Sequence, residues 1–228
     1  VSAPTVVLVH GAWADGSSWG RVITALHQSG VAAVAAPIPL TTLDDDVDAV
    51  RRTIDRTGGP VVLAGHAYAG GVIGATSHER LKALVYVAAL APDEGETVAE
   101  VFYRNPPHPK APELKPDDGG WIWLPNNAFA DAFAQHATAD EHALLAAVQR
   151  PIAAPCIQQP VPQPGWKTLP TWYLVAEEDR MINAATQQFM AERMKATVRT
   201  HPVDHAPLIT RPEVVTDILL EAVKSAAT

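Results

Sequence analysis

Three short stretches of this 228-residue chain carry residue types suited to acyl transfer, and one of them lacks the group that would attack. Gly65-His66-Ala67-Tyr68-Ala69-Gly70-Gly71 follows an apolar run, Pro60 to Ala64, and precedes small residues through Ala75. Strand, tight turn and helix form the setting in which G-x-S-x-G exposes a nucleophilic serine. In that register Gly65 is the first glycine, Ala67 stands at the serine position, and Ala69 replaces the second glycine. Small residues are needed there because strand and helix backbones approach closely. Alanine at 69 meets that need; alanine at 67 has nothing to attack with. Taken alone, the segment fits an ordinary Gly-rich strand-to-helix connection equally well.

The other two stretches supply what such a turn would work with. Thr171 to Ala176 reads as a strand followed by Glu177-Glu178-Asp179, and Thr197 to Val203 as a strand ending in Asp204-His205-Ala206-Pro207. Ala67, Asp179 and His205 therefore fall in the chain order nucleophile, acid, histidine. The histidine would take the nucleophile's proton, and the acid would fix its tautomer and stabilise the imidazolium. Near the start, Thr5 to Val9 reads as a strand and runs into His10-Gly11-Ala12-Trp13. A tetrahedral intermediate needs two aimed N–H donors. Tyr68 N–H, just after the nucleophile position, would be one and Ala12 N–H the other, with Trp13 N–H the runner-up. Gly11 lets the backbone fold into the pocket, and His10 braces the turn.

The elements that must hold these residues follow from the apolar runs. Strands near 5–10, 31–36, 60–65, 83–90, 171–176 and 197–203 alternate with helical segments, as in a parallel sheet covered on both faces. Helix 43–57 is marked by Thr42 as a cap, Asp44 to Asp46 at its positive end and Arg51, Arg52 and Arg56 toward its negative end. Helices at 183–195 and 212–226 complete the layers. Residues 91–170 break the alternation with prolines, Trp121, Trp123 and Trp166, and two helical patterns at 127–136 and 139–149. Phe129, Phe133, Leu144 and Leu145 mark the apolar faces of those two patterns.

The pieces Val9-His10-Gly11-Ala12-Trp13, Gly65-His66-Ala67-Tyr68, Ala176-Glu177-Glu178-Asp179-Arg180 and Asp204-His205-Ala206-Pro207, in this order, resemble a short α/β-hydrolase. The chain is similar over nearly its whole length to the plant methylesterase and hydroxynitrile lyase group and its small bacterial esterase relatives. The resemblance implies an α/β-hydrolase fold with about six mostly parallel strands, since only four residues precede the first strand. It implies a core of residues 1–90 and 171–228 and a small helical cap insertion, 91–170, over the site. Carried over by position, Ala67 marks the nucleophile, His205 the base and Asp179 the acid, with Ala12 and Tyr68 as the oxyanion hole and no cofactor. Trp13, Trp121, Trp123, Phe129 and Phe133 are the expected substrate-binding residues, around a small to medium apolar group.

Three functions compete on this reading. One is an esterase or lactonase of the Ser-His-Asp type, present here as an inactive, engineered serine-to-alanine form that traps substrate. Another is a natural non-catalytic relative that binds a small molecule. The third is a cofactor-free enzyme using the His–Asp pair as a base. Similar hydroxynitrile lyases carry threonine and lysine where Gly11 and Ala206 stand, and similar dehalogenases and epoxide hydrolases carry aspartate at the elbow; the esterase or lactonase is favoured.

Composition sets outer bounds. A net charge of −8 and the lack of a basic run argue against nucleic acid or an anionic membrane as partner. Cys156 is the single cysteine, so the chain has no internal disulfide framework, which suits a cytoplasmic location. No apolar run approaches the ~18 residues of a membrane span, and the start lacks a charged segment followed by an apolar one. The remaining histidines, His27, His66, His78, His108, His136, His142 and His201, show no metal-ligand spacing. The partners expected are a small ester-like molecule and, at most, a second copy in a homodimer.

Overall fold

The computed structural model describes residues 3–227. The strands that open the chain, β1 (Thr5–Val9) and β2 (Ala33–Ala36), flank a 3-10 turn, Gly16–Trp19, and helix α1 (Gly20–Gln28). Helix α2 (Leu43–Asp55), strand β3 (Val61–His66), helix α3 (Ala69–Ala75) and strand β4 (Leu81–Val87) follow. After a long insertion come β7 (Thr171–Ala176), α7 (Ala184–Arg193), β8 (Thr197–His201), α8 (Pro207–Thr210) and α9 (Pro212–Ala226). The sheet is six-stranded, in the order β2-β1-β3-β4-β7-β8, and every pairing in it is parallel.

Parallel strands packed on both faces must be apolar throughout. All six residues of β3 and of β7 are buried, whereas the edge strand β8 is exposed at four of its five positions. Helix α2 starts where its sequence says it should. The Thr42 hydroxyl accepts Asp45 N–H at 3.0 Å, and three aspartates occupy the first turn. Four expected strands, β1, β2, β4 and β8, are shorter than the ranges read from the sequence. β4 ends at Val87 because Ala88 takes a positive φ of 43° and leaves the sheet, and β8 ends at His201.

The insertion between β4 and β7 holds helices α4 (Val98–Phe102), α5 (Ala139–Val148) and α6 (Ala154–Gln158) and the two-residue strands β5 (Trp121–Ile122) and β6 (Ile152–Ala153). The two strands pair antiparallel. The helix expected over 127–136 is only a five-residue π-helical turn, Phe129–Phe133, closed when Ala134 swings to φ −145°. In α5 the expected apolar face forms only in part, with Leu145 packed partly buried against the core. Leu144 is 61% exposed, and none of the helix's residues is fully buried. Its apolar residues run around the helix rather than along one stripe, so no single face is driven inward.

Candidate active site

The strand β3 delivers the chain into a turn of high strain. Ala67 has φ 52°, a left-handed conformation that costs a non-glycine residue about 1–2 kcal/mol. Its carbonyl accepts Gly70 N–H at 3.1 Å and Leu90 N–H at 3.0 Å, which holds the turn in place. A Cβ on Gly65 would lie 2.8 Å from Ala69 O, and one on Gly70 would lie 2.0 Å from Leu90 O, so both positions are limited to glycine by close backbone approach. The loop after β1 closes on the same turn. A Cβ on Gly11 would lie 3.0 Å from His66 O and 3.1 Å from Ala67 Cβ.

His205, from the loop after β8, points its Nδ1 at Asp179 Oδ2, 2.8 Å away, and both residues are buried. Asp179, after β7, takes three further donors. Met181 N–H (2.7 Å) and Ile182 N–H (2.8 Å) meet Oδ1, and the Gln187 amide (2.8 Å) meets Oδ2. Four donors on one carboxylate suit an acceptor-only, ionised group. Gln187, from α7, is itself satisfied, since its carbonyl accepts Ala176 N–H at 2.9 Å and its amide also reaches Ile182 O. The neighbouring carboxylates are engaged elsewhere. Asp204 accepts His136 N–H, Ala206 N–H and the Thr210 hydroxyl, and Glu178 pairs with the His136 ring.

Two more buried histidines frame the pair. His66 donates from Nε2 to His205 O at 2.6 Å, and burial pushes its pKa down to about 3. Its ring stands 4.8 Å from that of His205, so a neutral His66 spares the pair a second positive charge. His10 donates from Nδ1 to Gly11 O at 2.9 Å and is held at about 4 by burial, while its Nε2 meets no partner among the described residues. Phe133 presents an edge to the His205 ring at 5.1 Å.

Ala67, His205, Ala12 and Tyr68 open on one cavity of about 610 Å³, its mouth included. No protein acceptor takes Ala12 N–H or Tyr68 N–H among the described residues, whereas Trp13 N–H is spent on Arg150 O at 3.0 Å. The walls are otherwise apolar: Leu90 and Trp13 from the sheet side, Val98, Phe102 and Leu114 from the insertion, Met181 and Ile182 beside Asp179. Of the five expected substrate-binding residues, Trp13 and Phe133 line this cavity. Phe129 is fully buried behind Phe133, 5.4 Å from it. Trp121 and Trp123 lie on a separate outer groove with Pro39 and Arg150. Successive residues of a strand face opposite ways, so the β5–β6 pairing turns Ile122 into the cavity and the flanking tryptophans out of it. Tyr103, Ile152 and Ile157 also line the cavity, and neither they nor Gln187 carry a sequence motif that marks them. Among the described residues no group of three His, Cys, Asp or Glu side chains is arranged to hold a metal.

The family and the fold of this chain are matched by known proteins. The model of the alpha/beta hydrolase family matches residues 6–218. An alpha/beta hydrolase from Aspergillus novofumigatus is 24% identical, with 96% of each chain covered. Among solved structures, a pyrethroid hydrolase from Sphingobium faniae superposes with a TM-score of 0.81 at 19% identity, covering 99% of both chains. A methylesterase from Arabidopsis does so with a TM-score of 0.79 at 17% identity, covering 97% of this chain and 99% of the other. The chain belongs to the alpha/beta hydrolase family and is a hydrolase of that type.

Proposed function

We propose that this site belongs to an esterase or lactonase of the Ser-His-Asp type, in which Ala67 stands where the working enzyme carries serine. The observation that carries this reading is the His205–Asp179 pair. Removing a carboxylate and an imidazole from water costs several kcal/mol. Here that cost is met with four donors on Asp179, one of them the His205 ring, which opens on the cavity. A pocket that only bound an apolar molecule would gain nothing from it. With a serine hydroxyl at 67, His205 Nε2 would accept its proton as the oxygen attacks the ester carbon, and Asp179 would stabilise the imidazolium. Ala12 N–H and Tyr68 N–H would hold the carbonyl oxygen as it becomes an oxyanion, and His205 would return the proton to the leaving alcohol. Water would then release the acid by the same steps.

The apolar walls favour an uncharged acyl or alcohol group of small to medium size, beneath residues 91–170 acting as a cap. The pyrethroid hydrolase and the methylesterase that share this fold support an ester as the substrate class. Loss of the nucleophile in a serine protease costs about a millionfold in kcat, so this chain should bind such an ester with negligible turnover. Ala67→Ser should restore hydrolysis of p-nitrophenyl esters from acetate to octanoate, or of simple lactones. A folded Ala67→Ser variant that stays inert on all of them would sink the reading. Ala67 itself would then favour the pair as a lone base acting on a substrate that brings its own acidic proton.

A further inference from the structure

A buried carboxylate that acyl transfer does not use sits against the elbow. Asp46, on the inner face of α2, has no exposed surface. One of its oxygens accepts Leu40 N–H at 2.7 Å. The other accepts the Tyr68 hydroxyl at 2.7 Å and faces the Cys156 thiol of α6 at 3.8 Å. Leu40, with φ 61°, in turn accepts Ala153 N–H at 3.0 Å. Three separate parts of the chain thus meet at one side chain: the α2 region, the elbow, and the segment carrying Ile152 and Ile157 of the cavity wall.

We propose that Asp46 is a positioning residue for the oxyanion hole: it pins the Tyr68 phenol, and through it the Tyr68 N–H, to α2 and to the α6 wall of the cavity. The assignment rests on reading Tyr68 N–H as an oxyanion donor. Tyr68 is the residue on which the elbow turns into α3, and its Cα carries both the donor and the ring. Any displacement of that Cα would carry the N–H with it, and the ring on the same Cα is buried at its body and tied at its far end, so the tether fixes the point from which the N–H projects. Apolar packing alone would hold the ring's plane less firmly than a hydrogen bond to a fixed anchor, because dispersion contacts are weakly directional. The groups facing Asp46 are Tyr68 from the elbow, Cys156 from α6 and Asp45 on its own helix, and burial is the largest influence, pushing its pKa up to about 6. Within ordinary working conditions the anchor therefore changes charge.

That charge change supplies a test needing no turnover. Amide spectra of the chain as it stands, recorded between about pH 5 and pH 8, should show the Tyr68 N–H resonance moving with a midpoint of about 6. The movement should stop in Asp46→Asn. It should also stop in Tyr68→Phe, which leaves the carboxylate in place and cuts only the tether. A residue-68 amide that still titrates in Tyr68→Phe would be sensing the charge through space, and the tether would be overturned. An amide that never moves in the parent chain would overturn it as well. In an Ala67→Ser background, Tyr68→Phe and Asp46→Asn should each lower kcat about tenfold with KM changed less than about twofold, the pattern of a weakened transition-state contact. Unchanged kcat in both would also refute the assignment. Should Ala67→Ser itself be inert, the hydrolase reading fails while the spectra still decide the tether; should Asp46→Asn not fold, Tyr68→Phe carries both measurements.

Discussion

Gln187 and His205 share one oxygen of Asp179, each 2.8 Å from it. That shared oxygen sets the plane in which the carboxylate meets the imidazole, while Met181 N–H and Ile182 N–H fix the other oxygen. Replacing Gln187 by leucine would leave Ala176 N–H without its acceptor and let the carboxylate turn. A misplacement of about 1 Å at a catalytic group costs about a hundredfold in rate. Gln187→Leu in an Ala67→Ser background should therefore lose kcat on that order, with KM little changed, in steady-state assays on a p-nitrophenyl ester. A kcat within about twofold of the parent would remove Gln187 from the site. This residue also shows where reading a sequence stops. Asp179 and His205 stand at strand ends in a recognisable order, so their meeting could be anticipated. A glutamine inside a helix has no spacing that ties it to a carboxylate eight positions earlier, and its role emerges only from packing.

The elements differ in how plainly the sequence announces them. Strands buried on both faces are written as unbroken apolar runs, and all six of the sheet's strands were legible, with errors confined to their ends. Helix α2 was legible from its cap and its charge gradient. Within the insertion α5 was legible, expected at 139–149 and found at Ala139–Val148; the rest was not, because β5 and β6 are two residues each and a π-helical turn has no period of its own to detect. Capping boxes at Thr97–Glu100 and Thr138–Glu141 open α4 and α5. The strand-to-helix elbow carries the most rigid demand of any element. Gly70→Ala would drive a methyl to 2.0 Å from Leu90 O, and backbone cannot give way as a side-chain tip does. The variant should lose about 3 kcal/mol or more in urea unfolding, at or beyond the upper range for overpacked sites. Gly20→Ala, whose Cβ would meet nothing within 4 Å, is the matched control and should be close to neutral or slightly stabilising. Equal midpoints for the two variants would show that the elbow relaxes more readily than its geometry indicates.

At the scale of the whole molecule, three buried groups make stability depend on pH in opposing directions. His10 and His66 are depressed to about 4 and about 3 in the folded chain, so the unfolded chain binds their protons more tightly. Their contribution is present above the ordinary histidine value of 6.5 and is lost as pH falls toward the folded values. Asp46, raised to about 6, acts the other way, and its contribution is lost as pH rises through that value. Between about pH 7 and pH 5 the two histidines together should cost about 4 kcal/mol and Asp46 should return about 1, so the histidines win. Urea midpoints should fall across that interval, and should fall further in Asp46→Asn; a flat profile would show that the histidines take up protons without unfolding. The cavity has a different consequence. Its lining runs from Ala12 through the insertion to His205, so nearly the entire chain must be in place before a ligand has anything to bind. Any molecule that fits will then hold the folded state by mass action, by about 3 kcal/mol at a hundred times its dissociation constant. On the proposed reading Ala67 leaves a bound ester intact, and melting temperature then becomes a direct reporter of occupancy. A panel of uncharged esters and lactones ranked by the rise each produces would name the natural ligand's chemistry before a single turnover is observed.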